Sequence, residues 1–506
     1  MNESVQRKTG AILSYVSIIM STLVQIIYTP LLIRMMGQSE YGLYSLVSSI
    51  IGYLTVLDLG FGNAIVVYTA KYRTQKKYEE EKKLHGMFRI IFYAIAIIVA
   101  VLGIMLYILV PTLFSNTMNN IEIQKAKIMM LILTFNLVIT FMFNIYSSII
   151  TSYEKFVFQK ILSILNTILK PLLMIPLLFM GFKSVTMALV ITTINIGICL
   201  SNYIYCRKRL NINIKYNGFD KKLFKTIFGY SFFIFLGVMV DKINWSLDQF
   251  ILGLVSGTTA ISLYAVASSI NNLFVNLSTG ISGVMLPKVS KMVANKATNQ
   301  DLTNEFIKVG RIQYYLIFLL ASGIVLFGKQ FIIAWAGIDY EKSYYITIAL
   351  VLPICIPLIQ NLGISIMQAK NMHKFRSILL GLIAILNILI SIPLAKIYGG
   401  LGCAIGTGLS LLIGNGVIIN IYYHHKVGIN VIEFWKNILN MTAYFIIPII
   451  IVILCMNLIN ITGLISVIVF GGIYTIVYAL TCYIFTMNSY EKSLLNNLIS
   501  KLKRVS

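Results

Sequence analysis

Charge is scarce in this 506-residue sequence, where Asp, Glu, Lys and Arg together make up only 11%. A soluble chain of that length needs a charged and polar surface, so a soluble globular protein is excluded. Acidic residues are scarcest, 17 Asp and Glu against 41 Lys and Arg. Six cysteines are present (Cys199, Cys206, Cys355, Cys403, Cys455 and Cys482), none in a CxxC pair and nearly all inside apolar runs. They read as packing residues rather than disulfides or metal ligands. The four histidines (His85, His373, His424 and His425) fall in or beside predicted loops, and His424-His425 reads as a solvated helix end rather than a metal site. No loop exceeds about 25 residues, and the longest on the outer side are 112–126 and 329–343. That leaves little room for chemistry outside the bilayer. With no His-Asp or paired-carboxylate constellation either, the chain does not read as an enzyme, and no cofactor is implied. The start, MNESVQRKTGAILSYV, lacks a small-residue cleavage site, so its apolar run reads as a retained helix.

What fills the sequence instead is apolar: 58% hydrophobic residues and a mean hydropathy of +0.84. About fourteen runs reach the ~20 residues that span a bilayer, the first at 11–34, the seventh at 226–253 and the last two at 439–460 and 463–487. The ninth, 312–328, is interrupted by Gly328-Lys329. The expected fold is therefore an all-α integral membrane protein. Residues 32–71 also recur 220 positions later: Leu32, Gly37, Leu43, Tyr44, Ser48, Ser49, Ile50, Leu57, Gly60 and Lys71 match Leu252, Gly257, Leu263, Tyr264, Ser268, Ser269, Ile270, Leu277, Gly280 and Lys291. An even number of predicted helices separates the copies, so both face the same way and form a parallel repeat. The expected domains are a six-helix lobe over 1–210, a second over 220–430, and two extra helices with a tail over 431–506. Two copies of one membrane unit is the plan of a transporter, with its site between the copies.

The net charge of +24 would suggest nucleic acid in a soluble protein. No basic-aromatic motif supports that here, and the charge lies in loops, where it marks topology and contact with anionic lipid. With the N-terminus placed in the cytoplasm, only Arg34, Lys125, Lys127, Lys183, Lys329, Lys342 and Lys396 reach the outer side. Lys170 and Lys242 remain in the membrane, and all other Lys and Arg fall inside. The expectation is a multi-pass cell-membrane protein with both termini cytoplasmic.

Charges at mid-membrane cost ~2.5–3.5 kcal/mol each on insertion scales and survive facing a bundle interior or a wet cavity. The seventh span holds the clearest set. Asp241, Asn244 and Asp248 share one helical face with Trp245, and Lys242 lies near the centre. Either this is a buried Asp-Lys pair that fixes packing, or it is a cavity-facing set that binds an anion or couples an ion. Lys170-Pro171, midway through the fifth span, places a lysine at an expected kink; it either meets a substrate phosphate or pairs with Asp241 or Asp248. Arg34 and Arg89 begin or end spans, where interfacial anchoring is the simpler role. Asp58, within LDLGFGNA, either binds an ion or holds a glycine-loosened helix together. The eighth span is unusually polar, with Ser268, Asn272 and Thr279 on one side and Asn271, Asn276 and Ser282 nearby, so this face is expected to look inward. Pro353 and Pro357, in VLPICIPL, mark a bending helix.

Together these segments resemble the oligosaccharide flippases, the polysaccharide-transport branch of the multidrug/oligosaccharidyl-lipid/polysaccharide exporter superfamily. LDQFILGLVSGTTAISLYAVASSINNLFVNLSTGISGVMLPKVSKM is similar to the family's signature of an Asp late in helix seven, a Gly turn, a Tyr-x-x-Ala stretch and a closing Pro. Here these are Asp248, Gly257, Tyr264, Ala267 and Pro287. TPLLIRMMGQSEYGLYSLVSSIIGYLTVLDLGFGNAIVVYTAKY, GKQFIIAWAGIDY, QAKNMHKFRSIL and YGGLGCAIGTGLS resemble other family segments; Leu263 stands where the family often has Gly before the Tyr. The resemblance implies two six-helix lobes around a central cavity that move a polyprenyl-pyrophosphate oligosaccharide between leaflets by alternating access. The anion ligands it points to are Lys242 and Lys170, then Arg34 and Arg89, with Asn244 and Asn272 as polar contacts. Asp248, Asp241 and Asp58 are candidates for ion coupling or for holding the lysines. The partners expected are the lipid-linked substrate, membrane lipids, a coupling cation (Na+ or H+) and other polysaccharide-assembly proteins. The alternatives are a cation-coupled multidrug exporter, or a membrane scaffold or enzyme of polysaccharide assembly.

Overall fold

The structure, a computed structural model, describes residues 3–503 apart from 215, 217, 284, 371 and 459–462. Among the described residues it is helical with no strand. The helices are α1 (Glu3–Met36), α2 (Gln38–Leu54), α3 (Phe61–Thr74), α4 (Tyr78–Phe114), α5 (Asn120–Ser152), α6 (Phe156–Phe179), α7 (Ser184–Lys208), α8 (Lys221–Val255), α9 (Gly257–Gly283), α10 (Leu286–Ala294), α11 (Asn299–Ala336), α12 (Ser343–Ile359), α13 (Leu362–Ala369), α14 (His373–Tyr398), α15 (Gly400–Leu411), α16 (Ile419–Tyr422), α17 (Val431–Leu458), α18 (Gly463–Thr481) and α19 (Ser489–Lys503).

Twelve of the described helical stretches are long and apolar enough to cross a membrane, thirteen with the bent pair α12–α13 taken as one span. The expected fourteen is not reached by that measure. The seventh expected span falls on α8, where the side chains of several residues, Asp241 and Asn244 among them, lie outside the described residues. Burial follows polarity. Half of the most apolar window is buried in α9 and in the α15–α16 span, against 11% in α6 and 17% in α18. The outermost helices present their Leu and Ile to lipid, which is no more costly than a protein neighbour, whereas polar helices need partners.

By contacts the chain divides into two compact units, residues 1–265 with 391–403, and residues 266–390 with 404–506. In the first, α4 packs on α5, α5 on α7, α1 on α6, and α2 on α8. In the second, α11 packs on α12, α17 and α18, around Phe327, Phe445, Tyr474 and Tyr478. The second unit carries a bidentate ion pair, Arg311 Nε to Glu491 Oε1 at 2.7 Å and Nη2 to Oε2 at 2.9 Å, both side chains largely buried. Arg311 also donates to the Thr486 carbonyl, and Tyr315 donates to Glu491. This pins α19 to α11.

The breaks have local causes. Gly37 and Gly257, 220 positions apart, turn α1 into α2 and α8 into α9 with φ of 80° and 78°, a conformation glycine adopts without strain. Between α2 and α3 the chain makes a 3₁₀ turn over Thr55–Asp58 and passes through left-handed Leu59 and Gly60. The α12–α13 pair bends by 43° just after Pro353 and Pro357, as the prolines predict. By contrast, α6 runs unbroken through Pro171 and Pro176.

Candidate functional site

The sequence singled out nine residues, and the structure treats them differently. Lys242 is half-buried in the middle of α8. Its ammonium lies beside Gly52 of α2, 3.7 Å from where a Cβ would stand, an ordinary contact distance. Among the described residues it has no ion-pair partner. Asp248, two turns along, is buried at 2% exposure, and its carboxylate takes the hydroxyl of Tyr264 from α9. Asp241 and Asn244 have side chains outside the described residues.

Asp58 sits in the α2–α3 break. It accepts from Asn144 Nδ2 at 2.7 Å and from the backbone N–H groups of Gly60 and Gly62. It thereby caps the start of α3, where those N–H groups have no helical partner. Arg89 is held in place: Nε donates to Tyr93 at 3.0 Å, Nη1 to the Ile214 carbonyl at 2.9 Å, and its guanidinium lies beside the Tyr93 ring. It ties α4 to the segment after α7. Arg34 is exposed at the last turn of α1. Lys170 is half-buried on α6 and, among the described residues, has no ion-pair partner.

The polar span α9 divides by face. Ser262, Asn271 and Ser278 are buried, while Asn272, Asn276 and Thr279 form an exposed stripe at i, i+4, i+7. Ser278 donates to the Leu358 carbonyl at 2.9 Å and accepts from Asn361 at 3.2 Å, supplying partners where α12 gives way to α13. Thr279 donates to the Val275 carbonyl at 2.9 Å, whereas exposed amides such as those of Asn272 and Asn276 are too polar to face lipid cheaply.

Several polar residues escaped the sequence reading. Asn136, Thr140 and Asn195 form a cluster between α5 and α7, with Asn195 Nδ2 2.5 Å from Asn136 Oδ1 and 2.7 Å from Thr140 Oγ1. Gln360, Asn420 and Trp435 form another, Gln360 Nε2 and Trp435 Nε1 both donating to Asn420 Oδ1. Isolated amides in apolar runs are the only sequence signal for these. Glu122 also went unnoticed, although the Asn119-x-x-Glu122 spacing announces a capping box, which the structure contains.

The helix order, the apolar outer faces and the buried polar breaks define an all-helical membrane transporter fold. The structure is similar to the lipid II flippase MurJ in its inward-closed conformation, at TM-score 0.71 and 19% identity, over 94% of this chain and 98% of that one. It is similar to a multidrug resistance MATE family transporter of the MOP superfamily in an inward-facing conformation, at TM-score 0.66 and 13% identity, over 82% and 95%. It is also similar to a MOP superfamily transporter from Pyrococcus furiosus, at TM-score 0.53 and 14% identity, over 82% and 92%. No curated protein matches the sequence. The sequence pattern of one family matches residues 8–293, and the chain accordingly belongs to the polysaccharide biosynthesis protein family.

Proposed function

We propose that this protein is a flippase that carries a polyprenyl-pyrophosphate oligosaccharide across the cell membrane by alternating access, with both termini in the cytoplasm. The observation that carries this reading is the family match over residues 8–293, in a chain whose fold is like that of a lipid II flippase over nearly its whole length. A pyrophosphate-sugar head cannot cross hydrocarbon unaided, and a basic, wet path lowers that barrier while the lipid tail stays in the bilayer. In this proposal residues 1–210 and 220–430 are the two lobes, with 431–506 appended. Lys242 is the main anion ligand, because a lysine at that depth must be solvated, paired or deprotonated. Lys170 and the exposed Asn272 stripe are secondary contacts, Arg34 and Arg89 anchor helix ends, and Asp248 couples a cation or shapes the site. Polysaccharide-assembly proteins that make and consume the lipid-linked sugar are the partners.

The test uses vesicles holding the purified protein and a fluorescent polyprenyl-pyrophosphate oligosaccharide. Lys242→Met should leave protein abundance intact and abolish translocation, and Lys242→Arg should retain more activity than Met. A well-folded Lys242→Met protein that translocates normally would remove Lys242 from the site and turn attention to Lys170. If Lys242 only holds helices together, Lys242→Met should instead lower abundance, and neutralising a partner Asp should restore it.

The second reading, a cation-coupled multidrug exporter, has in its favour the fold shared with MATE transporters. Drug efflux by the wild-type vesicles, with no movement of the lipid-linked sugar, would establish it.

A further inference from the structure

Glu122, at the first turn of α5, divides its carboxylate between two tasks. Oε2 accepts the backbone N–H of Asn119 at 3.0 Å, closing the capping box and fixing the side chain. Oε1 collects two hydroxyls from elsewhere, Ser39 at the start of α2 (2.5 Å) and Thr258 at the start of α9 (2.8 Å). The same corner contains a close backbone approach: a Cβ on Gly42 would stand 1.9 Å from the Thr258 carbonyl oxygen, so only glycine allows α2 to lie against α9 there. Thr117, after α4, donates to the Gly253 carbonyl at 2.6 Å, and its own carbonyl lies against Gly257. Glu40, one residue after Ser39, ion-pairs with Lys125 and accepts from Ser184, which steadies α2 against α5 and α7.

The partition of these contacts matters. Everything made by Glu40 joins helices of the first repeat to one another. The contacts of Thr258, Gly253 and Gly257 join the first repeat to the α8–α9 turn of the second copy. Those named here are hydrogen bonds and two close glycine contacts. All lie on the side that the charge distribution assigns to the outside.

We propose that the junction of Gly42, Thr117 and Glu122 with the α8–α9 turn is a releasable outer latch. It holds the external mouth shut and must part in each transport cycle, while the Glu40 cluster keeps the first-repeat side rigid. This rests on the transport reading above. Hydroxyl donors can exchange the Glu122 carboxylate for water without leaving a buried charge, which suits a contact that is broken and remade.

Two measurements test it. Ser39 and Thr258, which reach the same carboxylate oxygen, are both changed to Cys and joined with a short cleavable thiol crosslinker. Translocation of the fluorescent lipid-linked sugar in vesicles should stop on joining and return on cleavage; an unchanged rate in the joined protein overturns the latch. The second measurement needs no substrate. A Gly52→Cys reporter, placed beside Lys242, is labelled from outside with an impermeant maleimide, against the same protein lacking the reporter as background. Thr258→Val should raise the labelling rate by about tenfold, the equilibrium change expected from losing one hydrogen bond to a charged group. Glu122→Gln, which keeps an acceptor, should raise it less. Unchanged labelling in a folded Thr258→Val protein overturns the latch even if the chain proves to be a flippase. Raised labelling in a protein that moves no lipid-linked sugar supports the latch and counts against the substrate assignment.

Discussion

A buried carboxylate survives only if its lone pairs are occupied, and in this chain tyrosine helps to meet that demand. Three acidic side chains are fully buried among the described residues, Glu81, Asp248 and Glu491. Each accepts a tyrosine hydroxyl, from Tyr153 at 2.7 Å, from Tyr264, and from Tyr315 at 3.1 Å. A tyrosine supplies the donor and fills apolar space at once. Replacing Tyr153 or Tyr264 by Phe keeps the packing and removes the donor, so each should cost about 1–3 kcal/mol, read as a lowered melting temperature in detergent. Melting temperatures unchanged from wild type in both variants would show that these hydroxyls are not needed. Tyr264 was visible in the sequence as a family position, but its tie to Asp248 was not, because the two meet across the α8–α9 turn. Asp58 was legible as a polar residue in a loosened helix, but its partners Asn144 and the Gly60 and Gly62 N–H groups were not.

At the scale of helices, the turns at Gly37 and Gly257 differ in how much they tolerate. Gly37 has nothing within 4 Å of an added Cβ, whereas at Gly257 that Cβ would stand 2.8 Å from the Thr117 carbonyl oxygen. Gly37→Ala should therefore cost only the backbone strain of a φ of 80° with a ψ of 166°, a region essentially reserved for glycine, about 1–3 kcal/mol. Gly257→Ala adds a backbone clash and should be clearly more destabilising; thermal denaturation of the two variants side by side decides it. Helix positions were legible in the sequence because runs of membrane length have few alternative readings. The α12–α13 bend was legible from Pro353 and Pro357. Lys170-Pro171 was less so: α6 stays continuous there, since a proline can sit within a long helix when its neighbours absorb the lost bond. Which polar face of α9 is buried could not be read from spacing, because it depends on Leu358 and Asn361 arriving from α12 and its bend.

For the whole molecule, the charge bias predicts that a Cys placed at Ser256 is labelled from outside and one at Gln75 is not; the reverse pattern would overturn the orientation. The 220-residue repeat predicts that the backbones of 1–210 and 220–430 superpose by a rotation of about 180° around the membrane normal, with α1 on α8 and α2 on α9. An experimental structure in which those pairs fail to coincide would make the match fortuitous. The Arg311–Glu491 pair carries a different consequence, one of time. Its partners are separated by 180 residues, so at synthesis rates of 5–20 residues per second Arg311 waits roughly 10–40 s for its counter-charge. During that interval a guanidinium destined for burial has no acid to meet, and α11 cannot settle permanently against its neighbours. A ribosome that stalls or stops before Glu491 would leave a nearly complete chain with that charge unmatched, at a cost of about 3–5 kcal/mol. Such a chain would be a natural target for membrane quality-control proteases, which makes this ion pair a late checkpoint on completed synthesis.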